Sequence, residues 1–254
     1  MKSNIKIAII NQLSDNYSYI IYSLNEKKAL IVDPAESLTL INFLQEHNLS
    51  LQSILITHHH SDHTLGINEL LLYKNIDVYS SNLKIARTTK LIKDKEIIDF
   101  GYIAFKVIAS PGHTLDHVIF YNSTNNILFS GDTLFCLGCG RIFEGSYKQM
   151  FDSLQSIAKL PDKTNVYCGH EYTYQNYNFL NSIFPNHGPL NQYKKKIDSR
   201  FNNNECTIPF TLGDEKKVNP FLASDKTSFE NYMKNNNFNK FNFFQYLRKL
   251  KDNF

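Results

Sequence analysis

Between Thr57 and His63 the chain reads Thr57-His58-His59-His60-Ser61-Asp62-His63, directly behind the apolar run Ile54–Ile56. No other feature of the sequence constrains the fold as tightly. Four side chains able to grip a cation, His58, His60, Asp62 and His63, fall within six residues. In extended backbone, side chains repeat every two residues, so His58 and His60 point the same way from a strand end. The turn that follows can carry Asp62 and His63 toward a second cation. His59 is expected to point away, as a structural histidine or an outer partner. Ile67, Leu70 and Leu71, spaced i, i+3, i+4, announce a helix behind the run. That strand-before, helix-after setting separates it from an accidental metal-sticky surface.

Three later residues repeat the arrangement singly. His113 follows Phe105–Ile108 in Ser110-Pro111-Gly112-His113-Thr114. Asp132 follows Ile127–Phe129 in Ser130-Gly131-Asp132-Thr133, and His170 follows Val166–Tyr167 in Cys168-Gly169-His170-Glu171. A glycine precedes each ligand, and glycine permits the sharp turn that brings a side chain over a strand end. The carboxyl ends of strands are where α/β folds build their sites. Five histidines and two aspartates suffice for three ligands per metal with one aspartate shared. Nitrogen and oxygen donors without thiolate favour zinc, iron or manganese in an open site over a closed structural zinc. Two such ions about 3.5–4 Å apart lower the pKa of a bridging water, so that hydroxide exists near neutral pH. Hydrolysis is the expected chemistry, with oxygen chemistry the less common alternative.

The rest of the chain supplies the frame. Ile5–Ile10, Tyr19–Ser23, Ala29–Val32, Ile76–Tyr79 and Val118–Tyr121 read as further strands. Ser37 is placed to cap a helix with an apolar face of Leu38, Ile41 and Leu44. Short strands mixed with amphipathic helices imply a layered α/β domain. After about residue 172 the pattern turns helical over Tyr174–Ile183, Asn191–Asn202 and Phe229–Lys251. The expected division is therefore a catalytic domain over 1–172 and a helical domain over 173–254. Residues 190–254 hold twelve basic against seven acidic residues, whereas the whole chain of 254 residues has a net charge of only +3. That is too little to argue for nucleic acid. No apolar run approaches the ~18 residues of a membrane span, and the first residues lack a secretory apolar core. A soluble cytoplasmic protein is expected. Four cysteines are too few for a disulfide scaffold. The Cys136/Cys139 pair is read as packing and His117 as structural.

The motifs THHHSDH, SPGHT, SGDT and CGHE resemble those of the metallo-β-lactamase superfamily, which implies a four-layer αββα sandwich. Further segments narrow the resemblance: Gly138-Cys139-Gly140-Arg141-Ile142-Phe143-Glu144-Gly145, Tyr172 in His-Glu-Tyr-Thr, Asn219-Pro220-Phe221-Leu222, and the ending Leu247-Arg248-Lys249-Leu250-Lys251-Asp252. Together these are similar to the glyoxalase II (hydroxyacylglutathione hydrolase) family, from about Leu13 to the last residue. The resemblance implies that His58, His60 and His113 bind one divalent metal and Asp62, His63 and His170 a second, with Asp132 bridging. Zinc is the first expectation, with iron or manganese accepted. Asp62 and Asp132 would hold the metals and orient the attacking hydroxide. Arg141, Tyr172, Arg248 and Lys251 would hold the glutathione part of a small thioester substrate. Some members have a tyrosine where this chain has Phe143, and that hydroxyl contact is absent. The chain would act as a monomer, without nucleic acid or membrane. Guanidinium holds carboxylate bidentately, and two of only four arginines fall in this set. The alternatives are a one-iron persulfide dioxygenase, a nuclease of the same superfamily, and an inactive metal-binding relative.

Overall fold

The computed structural model describes residues 5–85, 87–203 and 205–254. They fall into two compact units, Met1–Ala109 with Asp116–Asn125, and Ser110–Leu115 with Asn126–Phe254.

In the first unit, β1 (Ile5–Gln12), β2 (Asn16–Ser23) and β3 (Lys28–Val32) pair antiparallel. After α1 (Leu38–Glu46), β4 (Ser50–Leu55) runs parallel to β3. Then come α2 (Ile67–Tyr73), β5 (Asp77–Ser80) and β6 (Lys90–Leu91), which complete a sheet ordered β1-β2-β3-β4-β5-β6. All eight residues of β2 are buried, so its sequence is a continuous run rather than an alternation. Ile20, Ile31, Leu40, Leu44, Ile54, Ile67 and Leu70 share one core cluster. The parallel direction of β3 and β4 brings their carboxyl ends to the same edge, which is where Asp33 and His58 follow. The antiparallel run β7 (Ile97–Asp99), β8 (Ala104–Ala109) and β9 (Val118–Asn122) closes the unit.

Two local expectations for α1 are corrected. Ser37 occupies the N-cap position, but its φ/ψ of −95°/−37° is already helical and its side chain makes no cap bond. The buried face is Leu40 and Leu44, with Leu38 turned to solvent.

The second unit begins with β10 (Ile127–Gly131), followed by the hairpin β11 (Leu134–Phe135) and β12 (Gly138–Cys139). The helix α3 (Tyr147–Ala158) follows, then β13 (Asn165–Cys168), parallel to β10. A helical stretch of α4 (Thr173–Ile183) and α5 (Gly188–Asn202) leads into β14 (Phe210–Thr211) on the edge of β13. The chain then forms α6 (Leu212–Val218), α7 (Glu230–Asn235) and α8 (Lys240–Asp252). The continuous helix expected over Phe229–Lys251 is thus two. Asn237 takes a left-handed φ of 54°, and Asn239 caps α8 by accepting from the Asn242 N–H. Asparagine tolerates that conformation and competes for backbone bonds, which is why a run of asparagines interrupts the helix. Among the described residues, no helix is long and apolar enough to cross a membrane.

Candidate metal centre

In the first unit the chain leaves β4 so that the Nε2 of His58 and the Nδ1 of His60 lie 3.1 Å apart. A single 3-10 turn, Ser61–His63, then folds back. It sets the His63 ring 4.2 Å from that of His58 and its Nε2 3.6 Å from the Asp62 carboxylate. All four expected ligands from this segment are therefore brought together. Three of them, His58, Asp62 and His63, are aimed by neighbours. The Asp33 carboxylate accepts from the Thr57 N–H (2.8 Å) and hydroxyl (2.7 Å), and meets His63 Nδ1 at 3.1 Å. Thr57 Oγ1 faces His58 Nδ1 at 3.0 Å, and the Asn16 amide donates to Asp62 Oδ2 at 2.9 Å. Engaging one ring nitrogen leaves the other for ligation and fixes the ring plane. Asp33, Asn16 and Thr57 are not predicted from the sequence as partners of these side chains. The one available signal was Asp33-Pro34 behind a buried strand, which reads as a strand stop. His59 turns away to Asp116 at 2.9 Å, and the His117 ring stacks on His58 at 4.8 Å.

In the second unit, one carboxylate oxygen lies between two imidazoles. Asp132 Oδ2 is 3.4 Å from His113 Nε2 and 3.3 Å from His170 Nε2. The other nitrogen of His113 faces the Arg141 carbonyl at 2.8 Å, turning Nε2 inward. Gly131 and Gly112 have φ of 47° and 151°, a conformation that favours glycine, whereas Gly169, before His170, is not among the residues with positive φ. A third glycine matters more than expected. A Cβ at Gly140 would sit 1.9 Å from the Asp132 carbonyl oxygen, so the β12 exit approaches the metal ligand as only glycine permits.

The residues expected to hold the substrate all lie in this unit. Tyr172 stacks on His170 with ring centroids 4.7 Å apart. Arg141 is exposed and lies over Phe143 at 5.6 Å. Arg248 is not the exposed helix end that a run of basic residues suggests. It is buried, and its Nη1 donates to the carbonyls of Cys139 (3.0 Å) and Gly140 (3.4 Å). Lys251 donates to the Asn176 side chain. Burial, with the Arg248 charge beside it, pushes its ammonium down to about 7. Glu215 is fully buried, accepting from the Leu137 N–H (2.8 Å) and the Asn219 amide (2.9 Å). Burial raises its carboxyl to about 7. Cys136 and Cys139 are buried free thiols, as a packing role requires.

The donors fit a divalent metal centre. They are all imidazole nitrogen or carboxylate oxygen, the outer nitrogens of His58, His63 and His113 are engaged, and the inward atoms converge to 3.1–3.6 Å within each unit.

Residues 13–170 match the model of the metallo-beta-lactamase superfamily, and residues 171–254 that of the hydroxyacylglutathione hydrolase C-terminus. Solved structures share the fold. ETHE1 from Myxococcus xanthus has a TM-score of 0.66 at 24% identity, covering 97% of this chain and 95% of that one. TTHA1623 in a di-iron-bound form has a TM-score of 0.61 at 23% identity, covering 85% and 99%. The class is thus the metallo-β-lactamase fold. Two curated relatives named hydroxyacylglutathione hydrolase come from Pseudoalteromonas translucida and Pelagibacter ubique. Each is 40% identical, and each alignment covers 98% of this chain and 100% of the relative. The chain belongs to the hydroxyacylglutathione hydrolase family, a family of thioester hydrolases.

Proposed function

We propose that this hydrolase cleaves S-D-lactoylglutathione to glutathione and D-lactate, the second step of methylglyoxal detoxification, as a monomer in the cytoplasm. The observation that carries the reading is that Arg248, on the same α8 face as Lys251, is held by the carbonyls of Cys139 and Gly140, immediately before Arg141. Glutathione brings two carboxylates and one ammonium, and guanidinium and ammonium groups near one another suit such an anion. The +5 balance of residues 190–254 serves a small anion in this reading rather than a nucleic-acid track.

His58, His60 and His113 would hold one metal and Asp62, His63 and His170 the other, with Asp132 between them. When bound, the pair would supply Lewis acidity and hydroxide near neutral pH, zinc being the first choice and iron or manganese suiting the same donors. Asp33, Thr57 and Asn16 keep the ligand atoms of His63, His58 and Asp62 in place. Asp62 and Asp132 orient the attacking water. The leaving thiol has a pKa of about 8.5, so departure as thiolate needs no strong general acid. Arg141, Tyr172, Arg248 and Lys251 hold the glutathione part and so position the thioester. Residues 1–172 carry the metal donors with Arg141 and Tyr172, and residues 173–254 contribute Arg248 and Lys251 to the docking surface.

The test is hydrolysis of S-D-lactoylglutathione beside a lactoyl thioester of a non-glutathione thiol, with metal content measured on the same sample. Turnover of the glutathione ester alone, at close to two metals per chain, is expected. No turnover despite two bound metals would overturn the assignment. Arg248→Ala should raise KM more than it lowers kcat; a collapse of kcat alone would remove Arg248 from docking.

A further inference from the structure

A carboxylate sits among the cations assigned to the substrate. Asp252, one turn beyond Arg248 on α8, accepts from Arg248 Nη2 at 3.0 Å. The same oxygen, Oδ1, lies 3.8 Å from Arg141 Nε. Arg248 is only 3% exposed and is fixed at its other nitrogen by the Cys139 and Gly140 carbonyls, immediately before Arg141. The Arg141 side chain is 61% exposed. A negative charge weakens the pull of this surface on an anion, so charge collection alone gives no reason for Asp252. Orientation does. A guanidinium offers its N–H groups in fixed directions, and an exposed arginine must surrender rotamer freedom before it can use them. An acceptor already in place, on a buried anchor, removes part of that cost before substrate arrives.

We propose that Asp252 is a positioning residue for substrate docking: anchored by Arg248, it draws in the Nε edge of Arg141 and leaves the Nη edge for a carboxylate of the glutathione moiety. This rests on the glutathione reading of the same surface.

The experiment measures kcat and KM on S-D-lactoylglutathione for the wild type, Asp252→Ala, Asp252→Asn, Arg141→Ala and the Arg141→Ala/Asp252→Ala double variant. Asp252→Ala should raise KM about tenfold with kcat within about threefold, because only docking is disturbed. Asp252→Asn should recover part of the loss, since its amide oxygen still accepts an N–H. On the Arg141→Ala background, Asp252→Ala should raise KM clearly less than it does in the wild type, because the contact to Arg141 is already gone and only the bond to Arg248 remains to be lost. A KM that falls or stays level in Asp252→Ala, or that rises equally on both backgrounds, overturns the proposal. The non-glutathione lactoyl thioester separates the two readings. A wild type that hydrolyses both esters alike removes the glutathione assignment and Asp252 with it. A wild type that prefers the glutathione ester while Asp252→Ala keeps its KM removes Asp252 alone.

Discussion

Glu215 and Lys251 are the two residues of the helical region whose protonation the fold displaces most usefully. Glu215 is an acid raised from 4.5 to about 7 by burial, so the folded state holds its proton where the unfolded chain has lost it. Its stabilising contribution is full below pH 4.5 and is lost as pH rises through about 7, a span worth on the order of 3 kcal/mol. Glu215→Gln should therefore show a flatter fall in Tm between pH 5 and about 8 than the wild type, read by thermal scans in parallel buffers. Lys251 is a base lowered from 10.5 to about 7, so it loses its charge in the free protein as pH rises through neutrality. KM for the glutathione thioester should rise above that pH, and Lys251→Arg should flatten the rise because guanidinium stays protonated. Equal KM–pH curves for the two proteins would remove Lys251 from docking. Neither shift was legible in the sequence, because each arises from burial by segments distant along the chain.

The strands that end in metal ligands could be read directly from sequence. Each is a short apolar run followed by a histidine or aspartate motif, and the structure brings His58, His60, Asp62 and His63 together in one unit and His113, Asp132 and His170 in the other. What escaped was of four kinds. β6, β7, β11, β12 and β14 are two or three residues long and carry no periodicity to detect. The Asn237 break divides a pattern that is otherwise continuously helical. The outer partners Asn16 and Asp33 are single polar residues whose role depends on register, which local sequence does not specify. α3 also went unrecognised, although Ser146 and Gln149 form a capping box whose two bonds are both present. Ser146→Ala should cost about 1 kcal/mol of stability, measured by urea unfolding, with no change in KM. A loss of activity at unchanged stability would mean that the start of α3 serves the site directly.

At the scale of the molecule, metal binding and folding should be linked, because the donors are arranged only in the folded chain. Removing metal with a chelator should lower Tm, and restoring zinc should raise it again in proportion to the logarithm of free metal. An unchanged Tm would mean that the imidazole and carboxylate atoms do not hold an ion tightly. The four cysteines add a different consequence. Cys136, Cys139 and Cys168 are buried, Cys206 is half-buried, and burial pushes all four thiols up. Mixed-disulfide formation requires a thiolate in reach of the oxidant. A protein that releases glutathione at its own surface lives beside glutathione disulfide, and here no thiol is both accessible and acidic. Oxidative stress should therefore leave the folded chain without glutathione adducts, a protection written into where its sulfur is kept rather than into how little of it there is.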